Sequence, residues 1–330
     1  MRRPPAFWHR PPGPSAALLA PLGAAYAAAG RLRRAVTRPA RVGVPVLCVG
    51  NATVGGAGKT PVALDLAARL REAGVAVHLL SRGYGGRPRA TPRRVDPARD
   101  DAATVGDEPL LLARAAPTWI GTDRVASAHA AVAHGAEALI LDDGFQAPGL
   151  AKDLSLLVLD AEAGLGNGRV LPAGPLREPA ARALARADAV VRLATGDPAA
   201  AEAARTADLA ACRAGFPGPW LEARLVPAPE APALAGRRVL AFAGIGRPAK
   251  LYATLRAVGA EVVAFAAFPD HHPYRRGEIT ALRARASAEG LTLVTTEKDL
   301  MRLPPAARAG ICALPVQVAW ADPAGVDALL

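Results

Sequence analysis

The stretch VLCVGNATVGGAGKTPVALDLAARL, residues 46–70, constrains the fold of this 330-residue chain more than any other. It reads as a short apolar strand, a glycine-rich turn and an amphipathic helix, and the turn ends in Gly58, Lys59 and Thr60. In such loops the N–H groups at the helix start bind phosphate, the Lys reaches the β- and γ-phosphates and the hydroxyl ligates Mg²⁺. Pro61 falls in the first helical turn, where its missing N–H costs least. The segment predicts a nucleotide phosphate site at the end of a strand.

One residue of this loop departs from the general pattern, which has Gly six residues before the Lys. Thr53 stands there, although Gly55, Gly56 and Gly58 still supply the turn. A chance glycine turn would not explain Gly-Lys-Thr leading straight into a helix. We therefore expect nucleotide contacts along the whole loop, at Thr53, Val54, Gly55, Gly56, Ala57, Gly58, Lys59 and Thr60.

A second apolar run, ALILDDGFQ at residues 138–146, ends in two acids, Asp142 and Asp143. A phosphate loop needs an acid at the end of a neighbouring strand to hold Mg²⁺. Adjacent carboxylates repel each other unless a cation lies beside them. The alternative is a solvated turn before Gly144.

From residue 44 onward, apolar runs alternate with amphipathic stretches, which is typical of a parallel sheet covered by helices. The expected strands are 44–49, 75–80, 138–142, 154–159, 189–193, 239–243, 261–265 and 291–295. We expect an α/β fold with three parts, an N-terminal segment 1–41, a nucleotide domain 42–215 and a smaller α/β domain 216–330. Stretches at about 219–227 and 312–320 read as strands that pair into a two-stranded linker. A cleft between two such domains is the default ligand site.

The N-terminal segment is apolar over residues 15–29 and basic after that. The run is shorter than the roughly 20 residues that span a bilayer, and it contains Pro21. The arginines 31, 34, 38 and 41 recur at three- and four-residue steps, so a helix would gather them on one side. This pattern favours a helix at a membrane interface, with Arg drawn to anionic headgroups. A helix packed on the first domain and a secretory signal peptide are the alternatives, and a phosphate loop for cytosolic ATP argues against the second.

The net charge of +11 is concentrated at one end of the chain, because residues 1–64 carry nine basic side chains and no acidic one. It therefore does not indicate a nucleic-acid surface, and no nucleic-acid partner is expected. No pattern points to a protein partner. The cysteines Cys48, Cys212 and Cys312 form no CxxC pair, which fits a reducing compartment.

Several polar clusters have no obvious structural reason. SRGYGG follows the second strand, VGDEP precedes a helix, and LPAGPLREP follows the fourth strand. Plain N-terminal capping is the alternative explanation for Asp107 and Glu108 in VGDEP.

The smaller domain contains two further clusters. FPDHHPY places His271 and His272 beside Asp270. Without a third ligand at a suitable spacing, a proton-handling or substrate role is favoured over a metal site there. TTEKD at 295–299 lacks the Lys position of a guanine-specificity loop, so GTP is not inferred.

Taken together, the chain closely resembles the tetraacyldisaccharide 4'-kinases of lipid A biosynthesis. Eight segments match that family in order, namely VGNATVGGAGKTP, SRGYGG, VGDEP, DDGFQ, GNGRVLPAGPLREP, AFAGIGRP, FPDHHPY and TTEKD. The resemblance implies a P-loop domain joined to a smaller α/β domain. It implies transfer of the ATP γ-phosphate to the 4'-hydroxyl of a lipid A disaccharide 1-phosphate. The reaction would take place at the cytoplasmic face of the inner membrane, against its anionic lipid surface.

The resemblance also implies roles for single residues. Asp107 would take the proton of the hydroxyl with help from His271, and Lys59 would contact phosphate. The metal region would comprise Thr60, Asp142, Asp143 and Glu178. Substrate contacts would come from Arg82, Tyr84, Glu108, Arg124, Gln146, Arg177 and His272. The family commonly has His after DDGFQ, and this chain has Ala147.

A second hypothesis comes from the loop alone. GGAGKT also resembles the loop of membrane-associated switch ATPases that work as dimers. Those with the deviant loop carry Lys just before the two glycines, where this chain has Val54.

Overall fold

The structure is a computed structural model that describes residues 5–87, 90–195 and 207–330. Its larger sheet consists of β1 (Val46–Gly50), β2 (Val77–Ser81), β3 (Arg93–Arg94), β4 (Thr118–Ile120), β5 (Ala138–Asp142), β6 (Leu154–Asp160), β7 (Ala189–Thr195), β8 (Trp220–Pro227) and β13 (Val316–Trp320). The strand order is β13-β8-β7-β6-β1-β5-β2-β4-β3. Neighbours run parallel except at the two edges, where β13 pairs antiparallel with β8 and β3 with β4. Strand β1, which leads into the glycine-rich loop, is therefore central, with β5 on one side and β6 on the other.

The smaller sheet has four parallel strands in the order β10-β9-β11-β12. They are β9 (Arg238–Ala243), β10 (Glu261–Ala267), β11 (Thr292–Thr296) and β12 (Cys312–Leu314). Separate apolar clusters pack on its two faces. The expected alternation of strands and helices is thus found in both halves of the chain.

The helices of the described residues are α1 (Pro14–Val36), α2 (Lys59–Glu72), α3 (Ala102–Val105), α4 (Asp107–Leu112), α5 (Arg124–Ala133), α6 (Ala180–Leu184), α7 (Ala207–Ala214), α8 (Ala249–Ala257), α9 (Arg276–Ala288), α10 (Glu297–Arg302) and α11 (Pro323–Asp327). Helix α2 buries Val62, Leu66 and Leu70, which are spaced four residues apart, against the large sheet. On its polar side Arg69 donates to Asp65 at 2.9 Å. The sequence pattern therefore fixes which face of α2 covers the sheet.

The stretch 312–320, expected as a single strand, is two strands in two sheets. Strand β12 belongs to the smaller sheet, and β13 pairs with β8 at the edge of the larger one. Pro315 lies between them and has no N–H to continue either ladder. The chain therefore passes between the sheets at residues 227–228 and again at Pro315.

The short strands β3 and β4 were not among the expected strands. They contain two and three residues, too few for alternation to be read from the sequence.

The larger sheet with its helices is here named the larger domain, and the smaller sheet with its helices the smaller domain. Helix α1 lies along the larger domain, where Ala16 and Gly23 are buried. A Cβ at Gly23 would come within 2.9 Å of the Val170 carbonyl oxygen, so the helix approaches that loop closely. Within the described ranges, no helix is both long and apolar enough to cross a membrane.

The expected row of four arginines on one face of this helix is wrong. Helix α1 ends at Val36, so Arg38 and Arg41 lie beyond it. Arg34 points inward and pairs with Glu178, and Arg41 pairs with Asp153 at 3.3 Å. Pro39 excludes a longer helix at this place, because it would clash with the preceding turn.

Candidate active site

The glycine turn between β1 and α2 opens into a cleft between the two sheets. Gly58 adopts a left-handed conformation at φ +86°, and a Cβ there would lie 2.3 Å from Leu193 Cδ2. Gly55 has φ +117°, a conformation that L side chains rarely adopt. Helix α2 starts directly at Lys59, so its first N–H groups have no helical acceptor. This geometry suits a bound phosphate.

The departure at Thr53 has a structural reason. Thr53 forms an antiparallel bridge with Leu176, and the next residue, Val54, donates its N–H to the Pro175 carbonyl at 2.8 Å. A residue in an extended bridge needs no glycine. The loop start is thus fixed by LPAGPLREP, a segment more than a hundred residues away in the chain.

At the end of the neighbouring strand β5, Asp142 meets the loop. Thr60 Oγ1 donates to Asp142 Oδ2 at 3.0 Å. Asp142 is buried, and its Oδ1 has no hydrogen-bond donor within the described part of the chain. Burial, together with the nearby Glu108 charge, raises the pKa of Asp142 to about 7. A divalent cation would satisfy the free oxygen and favour the ionised carboxylate, so this pair fits Mg²⁺.

The carboxylate of Asp143 instead forms ion pairs with two positively charged side chains. Lys59 Nζ lies 3.6 Å from its Oδ1, and Arg177 Nη1 donates to the same oxygen at 2.9 Å. Burial would raise the pKa of Asp143, but Lys59 and Arg177 outweigh it and the pKa is lowered. Its backbone is left-handed, at φ +56°. Asp143 therefore places two positive side chains at the mouth of the phosphate loop.

The carboxylate of Glu178 also forms ion pairs with positively charged side chains. It is 1% exposed and pairs with Arg34 at 3.2 Å and with Arg186. Gln146 donates to it at 3.4 Å and to the Asn51 carbonyl at 2.8 Å. No group of three or more acidic, His or Cys side chains is arranged to hold a metal within residues 5–87, 90–195 and 207–330. The fit to Mg²⁺ is thus through Thr60 and Asp142, and phosphate oxygens can complete such a site.

Asp107 and His271 come together from the two domains. His271 Nδ1 lies 3.1 Å from Asp107 Oδ2, although the residues are 164 positions apart. Arg302 donates to the same oxygen, and Asp107 is only 3% exposed. Burial would raise the pKa of Asp107, but the His271 hydrogen bond and the charges of Lys298 and Arg302 lower it below the usual range. Asp107 is therefore an ionised carboxylate with partners at both of its oxygens.

The cleft itself has a volume of about 960 Å³. Its lining from the larger domain includes the phosphate loop, Asp142 and Asp143, and Glu108 lies beside them. The smaller domain contributes Arg247 and Lys250 of the AFAGIGRPAK segment, and both pair with the buried Asp160 at the end of β6. The two sheets are thus joined by ion pairs next to the phosphate loop.

Three predicted substrate residues line this cleft away from the phosphate loop. Arg82 and Tyr84 are exposed on the SRGYGG turn, and the Tyr84 ring contacts the His271 ring at a centroid distance of 5.1 Å. Arg124 is buried and donates to the Gly121 carbonyl at 2.8 Å. Burial first, and then the neighbouring Arg82 charge, lowers the pKa of Arg124 to about 10. Both arginines line the cleft, and their positive charges favour an anion beside them.

His272 is not brought to the cleft by the structure. Its ring stacks on Phe268 with centroids 4.9 Å apart, and its Nε2 lies 2.8 Å from Glu278 Oε2. It therefore packs within the smaller domain, while its neighbour His271 reaches Asp107. Ala147, where a His is common in the resembling family, does line the cleft.

Three arginines with direct contacts at the site were missed from the sequence, namely Arg34, Arg186 and Arg302. Each lies just outside a quoted motif or on another element. The one available signal was that Arg302 follows Asp299 by three residues, which places both on one face of a helix.

Comparison with known proteins shows the family of this chain. The sequence model of the LpxK family, described as tetraacyldisaccharide-1-P 4'-kinase, matches residues 15–330. The chain belongs to the tetraacyldisaccharide 4'-kinase family. A protein of that name from Rhodospirillum centenum is 58% identical, with 99% of this chain and 95% of the relative covered. Another from Methylorubrum extorquens strain PA1 is 55% identical, with 97% and 95% covered.

A solved structure from the same 4'-kinase family has a similar fold. It is that of LpxK from Aquifex aeolicus in complex with ATP, with a TM-score of 0.74 and 28% sequence identity. The match covers 95% of this chain and 98% of that one. The α/β architecture with its large, mostly parallel sheet is therefore shared along nearly the whole chain.

Proposed function

We propose that this 4'-kinase family member transfers the γ-phosphate of ATP to the 4'-hydroxyl of a tetraacyldisaccharide 1-phosphate, a lipid A precursor. The observation that carries the proposal is the contact between Asp107 of the larger domain and His271 of the smaller one, whose chain neighbours Glu108 and Asp270 line the cleft. A carboxylate and an imidazole are suited to orient a hydroxyl and accept its proton. The loop would bind the phosphates of ATP, and Arg82 and Tyr84, which are proposed to contact the acceptor, line the same cleft.

Positively charged groups at the phosphate loop would neutralise the negative charge of the reacting phosphates. Lys59 and Arg177, held by Asp143, would contact the transferred phosphoryl group. Mg²⁺ bound by Thr60 and Asp142 would neutralise the charge on the phosphates. Phosphoryl transfer depends mainly on such positioning and charge stabilisation.

Arg82, Tyr84 and Arg124 are proposed to contact the sugar and its 1-phosphate. They lie at the same cleft, and two of them are cationic. Glu108 and Gln146 line the cleft nearby and can accept or donate hydrogen bonds to sugar hydroxyls.

Helix α1 is proposed to lie on the cytoplasmic surface of the inner membrane. Its large apolar side chains Leu18, Leu22, Tyr26, Leu32 and Val36 are all exposed, by 47% to 81%. At 100° per residue these positions fall on one side of the helix. Tyr26 also lines the cleft, which supports entry of an acylated substrate along this side.

The deciding experiment is transfer of labelled γ-phosphate from ATP to the disaccharide 1-phosphate in detergent micelles. Wild-type protein is expected to give product, and Asp107→Asn to lose about 10²- to 10⁴-fold in turnover while binding ATP. Asp101→Asn, a change of similar chemistry at the cap of α3, is the control. Unchanged turnover in Asp107→Asn would make Asp107 a structural residue. Absence of product, with ATP hydrolysis stimulated by self-association, would support a switch ATPase instead.

A further inference from the structure

The carboxylate of Asp107 is fixed largely by the smaller domain. Its Oδ1 accepts the N–H of Glu108 at 2.9 Å within its own helix, and the Nδ1 atom of His271 lies beside both oxygens. The guanidinium of Arg302 donates to Oδ2 through Nε and also lies close to it through Nη2. Two of these three partners thus belong to the smaller domain.

Arg302 is itself held rigidly. Its side chain is 5% exposed, and its Nη1 donates to Asp299 Oδ1 at 2.7 Å and to the Gly244 carbonyl. Asp299 is fully buried and accepts from the Tyr274 hydroxyl at 2.8 Å and from the Gly244 N–H at 2.9 Å. A guanidinium with so many fixed partners has little freedom to leave its carboxylate.

Helix α10, which carries Arg302, packs directly on α4, which carries Asp107. Lys298 of α10 pairs with Glu108 of α4 at 2.8 Å, and Arg114, just beyond the end of α4, pairs with Glu297 of α10 at 3.8 Å. Met301 adds an apolar contact by joining a cluster with Val105 and Leu110 of the larger domain. The position of α10 therefore sets the position of the groups around Asp107.

We propose that Arg302 is a positioning residue for phosphoryl transfer, which fixes the Asp107 carboxylate and ties its orientation to the docked smaller domain. This inference rests on the proposed function, because it assumes that Asp107 accepts the proton of the acceptor hydroxyl. It assigns a role to the segment after TTEKD that lies outside the phosphate loop.

The charges around Asp107 determine how this role is measured. They come from its own helix, from α10 and from the loop after β10, and they are Glu108, Lys298, Asp299, Arg302, Asp270 and His271. Removing Arg302 takes away one of the positive charges that oppose burial, so the pKa of Asp107 rises. Because a base acts only when ionised, the acid limb of the kcat profile moves to higher pH.

The test compares Arg302→Met with Arg302→Lys in the full chain, using transfer to the lipid acceptor. We expect Arg302→Met to lower kcat by about 100-fold, as a misplaced catalytic group does. Its acid limb should shift upward, and the KM for ATP should stay within about twofold because the phosphate loop is intact. Arg302→Lys keeps the positive charge but lacks the planar guanidinium that can donate two parallel hydrogen bonds to a carboxylate. It should therefore return the acid limb to its wild-type pH but recover only part of kcat.

Arg114→Met is the matched control, because it removes another ion pair to α10, from just beyond the end of α4, without touching Asp107. It should leave kcat and the pH profile at wild-type values. Wild-type kcat in Arg302→Met, an unshifted acid limb, or an equal loss in Arg114→Met would each overturn the proposal. If Arg302→Met does not fold, Arg302→Lys tests the proposal alone. A wild-type kcat in Arg302→Lys would show that the guanidinium geometry is not needed, and would overturn the proposal. Turnover that survives Asp107→Asn would instead overturn the assignment of the base.

Discussion

Arg34 of the N-terminal helix and Glu178 of the loop after β6 form an ion pair at 3.2 Å. Glu178 is 1% exposed, so this pair is buried between the helix and the active-site loop. The preceding residue, Arg33, donates to the Gln146 carbonyl at 2.7 Å. Helix α1 is thus fastened, at its basic end, to both loops that surround the phosphate site.

Replacing Arg34 should therefore loosen α1. In Arg34→Ala, Glu178 keeps Arg186 but loses one buried partner, which should cost about 1–3 kcal/mol of unfolding free energy. Limited proteolysis should cleave within residues 5–40 faster than in wild type. Arg31→Ala, an exposed change one turn earlier, is the control. Equal cleavage rates in both variants would mean that the ion pair does not hold the helix.

Lys59 is expected to act in the transition state rather than in folding. Its side chain is 11% exposed and lies 3.6 Å from Asp143. Lys59→Met should lower kcat by at least about 10²-fold, because it removes a positive charge at the transferred phosphoryl group. The thermal midpoint should change little. Lys59→Arg keeps the charge and should recover part of kcat, whereas equal loss in both variants would indicate a purely steric role.

Asp142 is expected to set the Mg²⁺ requirement. Its free oxygen and its hydrogen bond from Thr60 form the pair that fits Mg²⁺. Asp142→Asn should raise the Mg²⁺ concentration for half-maximal rate by at least about tenfold. Asp96→Asn, at a half-exposed acid that does not line the cleft, is the control and should leave it unchanged. An unaltered Mg²⁺ dependence in Asp142→Asn would move the metal to other ligands.

The central strands and the phosphate loop could be predicted because their signals are local. The periodicity of α2 and the apolar runs of β1 and β5 are each contained in a short window of sequence. Since parallel strands end at the same edge of a sheet, the pairing of Thr60 with Asp142 followed from the order of these elements.

Long-range ion pairs could not be predicted in this way. Arg34 was expected to face lipid headgroups, but a buried Glu178 provides a closer partner. Arg302 and Asp107 are 195 residues apart and meet only because α10 docks on α4. The bridge of Thr53 to Leu176 likewise depends on a distant loop, so the misfit in the glycine pattern had no local explanation.

The exposed apolar side of α1 gives a direct test of membrane association. Leu18 and Leu22 are 81% and 58% exposed and lie one turn apart. Burying each in the interface contributes about 1.5–3 kcal/mol, so changing either to Glu should weaken binding by at least about tenfold. Sedimentation with vesicles of anionic phospholipid measures this binding.

Val263→Glu is the control, because it alters a half-exposed apolar residue of β10 in the smaller sheet, and it should leave vesicle binding intact. Wild-type binding by Leu18→Glu and Leu22→Glu would show that another surface meets the lipid. Transfer to a substrate dissolved in detergent should be unaffected in all three variants, because none of them changes the phosphate loop or Asp107.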